Sequence, residues 1–116
     1  MRRRTLAAAC LAVAGAVAAA APAATPRPIL TATSGPGHAI AISRGGKPVA
    51  HLGPGTYTVR VRNAGGSYDF HLTGPGVDKA TSFGRSAVWT VTFREGVYRF
   101  VCDDAPGAMH GTLAVG

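Results

Sequence analysis

A cysteine and a methionine lie seven residues apart near the end of the chain, in the segment CDDAPGAMHG from Cys102 to Gly111. A thiolate and a thioether are soft ligands, which favour soft metal ions over hard cations. His110 follows the methionine directly and offers an imidazole nitrogen on the same loop. The residue types and their spacing therefore predict a soft-metal site made of Cys102, Met109 and His110.

The segments on both sides of this loop alternate apolar and polar residues, as strands do. Residues 87–93 and 97–102 form two such runs, joined by a turn at Glu95 and Gly96. Side chains two positions apart on a strand share a face, so Tyr98, Phe100 and Cys102 should all point inward. Residues 112–115 supply a closing strand after the loop.

Further strands are predicted at residues 29–33, 38–43, 56–62 and 68–72, with a hairpin turn at residues 44–47. In the last of these strands Asp69 and His71 should face away from Phe70. Residues 77–85 are expected to be a polar connection between sheets. No segment after residue 28 has a helical period, so the predicted fold is all-β, a Greek-key sandwich of two sheets with about seven or eight strands.

Three stretches of this chain resemble the cupredoxins, the small exported blue-copper electron-transfer proteins: TVTFREGVYRFVCDDAPGAMHGTLAV at 90–115, GTYTV at 55–59 and YDFHLTGPGV at 68–77. The resemblance implies a plastocyanin-like β sandwich with a type 1 copper near one end, held by two histidines, one cysteine and an axial methionine. It makes Cys102 the thiolate and Met109 the axial thioether. Tyr68 and Ala105 stand at the two histidine positions.

Several functions remain open from the sequence. The first is a secreted cupredoxin-like domain with a degenerate or modified copper site, used for electron transfer or copper handling. The alternative is a metal-free extracellular binding or structural module, in which Cys102 and Met109 are core residues and Tyr68 fills the metal pocket. A third is that the unpaired thiol itself reacts. The predicted partner is a redox or extracellular protein.

Surface positions are expected for most other candidate residues. His38 and His51 have no partner at ligand spacing, and His71 should lie on the opposite face of its strand from the copper pocket. Arg60, Arg62 and Arg99 project outward, where a basic patch could dock an acidic partner.

The first 23 residues read as a signal peptide, with a basic head, an apolar run over residues 6–21 and a cleavage site at Ala21-Pro22-Ala23. Residues 24–28 are then a short flexible lead, and residues 29–116 form the domain. We therefore expect an exported protein, secreted or held in the cell envelope or periplasm. No later segment is long and apolar enough to span a membrane.

Composition excludes other classes of function. After residue 23 the chain has nine Lys and Arg against five Asp and Glu, a formal net charge of +4, with no basic run that would indicate nucleic-acid binding. Cys102 is the only cysteine after that point, so an internal disulfide is excluded. The sequence contains no Ser/His/Asp arrangement, paired catalytic carboxylates or phosphate-binding loop, and we predict that the protein is not an enzyme.

Overall fold

The computed structural model describes residues 27–116, and within that range the chain contains strands and no helix. The predicted signal peptide and most of the predicted lead lie outside the described residues. The strands are β1 (Ile29–Ser34), β2 (Ile40–Arg44), β3 (Lys47–Pro48), β4 (His51–Leu52), β5 (Gly55–Asn63), β6 (His71–Gly74), β7 (Val77–Ala80), β8 (Ala87–Phe93), β9 (Gly96–Val101) and β10 (His110–Val115).

The strands form two mixed sheets of five strands each. The order is β3-β2-β1-β5-β8 in the first sheet and β4-β10-β9-β6-β7 in the second. β1 runs parallel to β5 and β10 parallel to β4, while the other neighbours are antiparallel. The predicted all-β sandwich of two sheets is confirmed. The structure has more strands than predicted because it adds β7 and the two-residue β3 and β4.

Alternating burial along each strand builds the core between the sheets. In β5, Tyr57, Val59 and Val61 are buried and the residues between them face outward. Apolar side chains of both sheets meet in one cluster, and burying each large one contributes about 1.5–3 kcal/mol. The rings of Phe93 in the first sheet and Tyr98 in the second pack edge to face at 4.9 Å. The sheets are therefore joined directly through their inner faces.

The turn between β2 and β3 is the predicted hairpin. Arg44 pairs with Lys47, and the two glycines between them have φ values of 58° and 81°. Such positive values at both central residues are required by the tight turn that matches strand twist, and glycine adopts them without strain.

Two sequence predictions in the second sheet are wrong. Residues 77–80 form β7, which pairs with β6, instead of belonging to an irregular connection. β6 itself begins at His71, so residues 68–70 are not in a regular strand. Asp69 consequently does not alternate with Phe70, and both are buried, at 2% and 0% exposure. The reason is a non-local contact, because the Asp69 carboxylate accepts a hydrogen bond from the backbone N–H of Asp103.

Three loops meet at one end of the sandwich, which we call the site end. β9 ends at Val101, which is in register with the first residues of β6 and β10. In the first sheet the last residues of β1 and β5, Ser34 and Asn63, are also paired. The loops that follow, residues 35–39, 64–70 and 102–109, are thereby gathered around a common space.

Candidate metal centre

A pocket of about 230 Å³ opens between the three loops of the site end. It is lined by Gly37, His38, Ser67, Tyr68, Cys102, Asp104, Ala105 and Met109. The first two residues come from the β1–β2 loop, the next two from the β5–β6 loop, and the last four from the β9–β10 loop.

The two sulfur residues are held side by side by the backbone of the β9–β10 loop. Cys102 N–H donates a hydrogen bond to the Met109 carbonyl at 3.0 Å, and Met109 N–H donates to the Ala105 carbonyl at 2.8 Å. Ala105 N–H in turn donates to the Cys102 carbonyl at 3.0 Å. Both side chains are buried, at 1% exposure for Cys102 and 2% for Met109. The thiol and the thioether therefore line one pocket on a closed loop.

Side chains of the β5–β6 loop, β6 and β7 anchor this loop from outside the pocket. Asp69 accepts the hydrogen bond from Asp103 N–H with a distance of 2.6 Å between Oδ1 and N. The Asp103 carboxylate lies 3.0 Å from His71 Nδ1, and Asp78 Oδ1 lies 2.7 Å from His71 Nε2. His71 thus links β7 to the residue that follows Cys102.

The carboxylates around His71 favour its charged form. The hydrogen bond to Asp78 raises the pKa of His71 most, the bond and charge of Asp103 raise it further, and partial burial opposes them. For Asp103, burial acts to raise the pKa, but the hydrogen bonds with Asp69 and His71 and the His71 charge together lower it. Burial raises the pKa of Asp69, with the neighbouring Asp103 adding to the effect.

Tyr68 and Ala105, which stand where the resemblance implies histidines, line the pocket without a ligand nitrogen. The Tyr68 ring packs against Gly35, where an added Cβ would lie 2.8 Å from the ring carbons. Only glycine allows the β1–β2 loop to approach so closely, and its φ of 83° also favours glycine. Ala105 presents only a methyl group, so the pocket stays open on its side.

The histidines lie in four different environments. His110, predicted as a ligand, is exposed at the first residue of β10, with Nδ1 3.0 Å from the Pro106 carbonyl oxygen, and it does not line the pocket. His71 lies outside the pocket between two carboxylates. His51 is in β4, beside the last residues of β10 and far from the site end. Ligation by His110 remains a prediction.

His38 is the site residue that the sequence reasoning missed. The sequence predicts a surface position for it at the edge of a strand, whereas the structure places it in the β1–β2 loop, exposed but lining the same pocket as the two sulfurs. No spacing rule connects residue 38 with residue 102. The glycine on each side of Pro36 was the one local signal that a turn, and not a strand, precedes β2.

The donor set does not fit a type 1 copper centre. Among residues 27–116, no three His, Cys, Asp or Glu side chains lie close enough together to hold a metal ion. A type 1 centre needs two imidazoles in one plane with a thiolate, and those positions hold a phenol and a methyl group. A thiolate with a thioether instead suits a soft ion of low charge.

No family model matches this chain. No curated protein matches it either. Reduced rusticyanin is 21% identical in a superposition that covers 76% of this chain and 78% of that one, with a TM-score of 0.56. Rusticyanin from Thiobacillus ferrooxidans is 23% identical, with a TM-score of 0.53 and 76% of each chain covered.

The chain has the cupredoxin fold. Rusticyanin is a copper protein. Auracyanin A, a "blue" copper protein from Chloroflexus aurantiacus, aligns over 78% of this chain and all of its own, at 15% identity and a TM-score of 0.48. Within the part of this cupredoxin fold that is described, no helix is long and apolar enough to cross a membrane.

Proposed function

We propose that the protein is an exported cupredoxin-like domain that binds copper through Cys102 and Met109, at a site modified from a type 1 centre. One observation carries the proposal: two buried sulfur side chains, joined through a backbone hydrogen bond, line one pocket at the site end. Thiolate and thioether together select copper in its reduced state over the hard cations.

The proposed role is copper handling, and electron transfer by a type 1 centre is not part of it. The Tyr68 ring and the Ala105 methyl group offer no imidazole in the plane of the thiolate. A bound copper ion would be held by the Cys102 sulfur as its anionic ligand, with the thiol proton passing to water. Met109 supplies the neutral second sulfur, and the loop hydrogen bonds hold both in place.

Copper analysis of the purified protein tests this proposal. After incubation with copper under reducing conditions and dialysis, we expect one equivalent retained by the wild type and by Met109→Cys, less by Met109→Leu, and none at this site in Cys102→Ser. Leucine matches methionine in volume and apolarity, so it preserves packing and removes only the thioether. Cys102 is the only cysteine after the predicted signal peptide, so differences between the four mature proteins report on the pocket.

Equal copper retention by the wild type and Cys102→Ser would overturn the proposal. Copper retention that is unchanged in Met109→Leu would overturn the role of Met109 as a ligand. Oxidised copper should give no intense blue colour with the wild type, because the two-imidazole plane is missing.

A second candidate is a metal-free module that docks an acidic extracellular protein, and the first sheet favours it. The strands of that sheet carry Arg44, Lys47, Arg60 and Arg62 and no Asp or Glu. A shallow outer groove of about 570 Å³ is lined by Arg60 and Arg62 with Thr58, Asn63, Ser86 and Val88 among its other walls. The charges of such a face would attract an acidic surface in a salt-dependent way.

Binding of a glutamate-rich peptide tests the second candidate. The double variant Arg60→Ala/Arg62→Ala should lose the binding, whereas Arg99→Ala, on β9 of the other sheet, should keep it. Binding that survives in the double variant, or that does not weaken with added salt, would exclude this face as the docking surface.

A further inference from the structure

We propose that His38 supplies the third donor of the pocket, completing a three-coordinate Cu(I) site with Cys102 Sγ and Met109 Sδ. The inference rests on the copper binding proposed above and names the missing ligand and the oxidation state. Its starting point is the lining of the pocket, where His38 is the one histidine among the described residues that shares a wall with both sulfurs.

The other described histidines are engaged or distant. Both ring nitrogens of His71 lie within 3.0 Å of carboxylate oxygens. His110 directs Nδ1 to the Pro106 carbonyl on the outer surface, and His51 lies at the opposite end of the sandwich. Within residues 27–116, the ring of His38 makes no hydrogen bond. Its nitrogens are therefore free to bind a metal without breaking an existing contact.

The β1–β2 loop is built to hold the backbone of His38 at the pocket. Gly35 N–H donates to the Ala39 carbonyl at 2.7 Å, which closes the loop around His38. Gly35 packs closely against the Tyr68 ring, so the loop contacts a second wall of the pocket. Gly37, next to His38, has a φ of 67°, which glycine adopts easily. The His38 side chain is exposed and not fixed by packing, so metal binding would draw its ring toward the sulfurs.

Ala105 leaves the room that the imidazole needs. Its methyl group lines the pocket beside Cys102 and Met109, and the pocket of about 230 Å³ extends from there to His38. A larger side chain at residue 105 would fill this space. The pocket therefore combines an open volume with a histidine at its rim and two sulfurs at its base.

Charge selects Cu(I) for this donor set. Cys102 and Met109 are almost completely buried, and an uncompensated charge in such a place is costly. One thiolate neutralises a monovalent ion, whereas a divalent ion would leave a net positive charge. Asp104 lines the pocket too, but its hard carboxylate suits a soft d¹⁰ ion poorly. Binding releases one proton from the thiol and changes no oxidation state when the copper is supplied as Cu(I).

Anaerobic competition with the Cu(I) chelator bicinchoninate tests the proposal on the purified protein. We expect His38→Ala to weaken Cu(I) binding by at least about tenfold, the size of effect typical for losing a group that supports a metal site. The Cu(I) affinities of His110→Ala and of the matched control His51→Ala should stay within about twofold of the wild-type affinity. Nitrogen-15 spectra should show the ring signals of His38, and not those of His110, shifting when Ag(I) is added as a Cu(I) substitute.

The variants distinguish a failure of the His38 proposal from a failure of copper binding itself. If Cys102→Ser abolishes binding while His38→Ala binds like the wild type, copper binding stands and the role of His38 is overturned. If His110→Ala is the weakened variant, His110 is the third donor, as the sequence predicted. If the wild type binds no Cu(I), both proposals fail. Unchanged thermal unfolding of His38→Ala, whose side chain is exposed, guards against a loss caused by misfolding.

Discussion

The hydroxyl of Tyr98 links two turns at the end of the sandwich opposite the site end. It accepts a hydrogen bond from Arg94 N–H at 2.9 Å and donates one to the Pro75 carbonyl at 3.0 Å. The residue is fully buried. Tyr57 offers a matched comparison, because its hydroxyl donates a single hydrogen bond, to the Gly53 carbonyl at 2.8 Å.

Replacing each tyrosine by phenylalanine keeps the ring and removes only these hydrogen bonds. A hydrogen bond contributes about 1 kcal/mol net, and a partner left unsatisfied adds to the loss. Tyr98→Phe should therefore lower the free energy of unfolding by about 2–3 kcal/mol and Tyr57→Phe by about 1 kcal/mol. In a domain of this size the corresponding falls in Tm are about 10–15 °C and about 5 °C.

Urea unfolding followed by the fluorescence of Trp89, the single tryptophan, measures both losses. The slope of the unfolding free energy against urea should be the same for the wild type and both variants, since the buried surface is unchanged. Equal losses for the two variants, or a loss below about 1 kcal/mol for Tyr98→Phe, would refute the assignment of two hydrogen bonds to that hydroxyl. Copper affinity should not change in the folded Tyr98→Phe protein, because the pocket lies at the other end.

Two further substitutions test packing and electrostatics near the site end. An alanine Cβ at Gly111 would lie 2.4 Å from the buried ring of Phe100. Gly111→Ala should therefore destabilise the fold by about 1–3 kcal/mol in the same urea assay. An unchanged urea midpoint would contradict this close approach. His71→Ala should cost up to about 1 kcal/mol at about pH 5.5 and less at about pH 9. The folded-state pKa of His71 is raised above its ordinary value of 6.5 by Asp78 and Asp103, so its stabilisation is complete below 6.5 and is lost as pH rises through the folded-state value. A cost that is independent of pH would show that charge on His71 contributes nothing.

Local patterns in the sequence were sufficient for the main strands and for one half of the pocket. Period-two alternation predicted β5, β8 and β9, because these strands each bury one face against the core. The same alternation placed Cys102 inward, and the structure has it 1% exposed. The segment from Cys102 to Met109 is short enough for its own backbone hydrogen bonds to close it, so both of its sulfur residues line one pocket.

The parts that were missed depend on contacts between distant segments. β7 has little apolar character and is held at the sheet edge by backbone pairing with β6, which side-chain patterns do not reveal. Asp69 is held in a buried position by a hydrogen bond from Asp103 N–H. That partner is 34 residues away in the sequence. His38 reaches the pocket because β1 pairs in parallel with β5, which brings the β1–β2 loop beside the β5–β6 loop. A single sequence gives no spacing from which either proximity follows.

Burial alone does not explain why both sulfur residues face the same space. Cys102 and Met109 are as buried as core residues, yet neither belongs to the apolar cluster that joins the two sheets. If they served only as packing, the volume beside them would be filled to the density of a protein interior. They instead line an open pocket with a histidine at its rim. Both substitutions keep most of the side-chain volume, so Cys102→Ser and Met109→Leu should cost the fold much less than truncating a core residue such as Phe70. Small stability losses combined with a large loss of copper would therefore assign the two sulfurs to ligation.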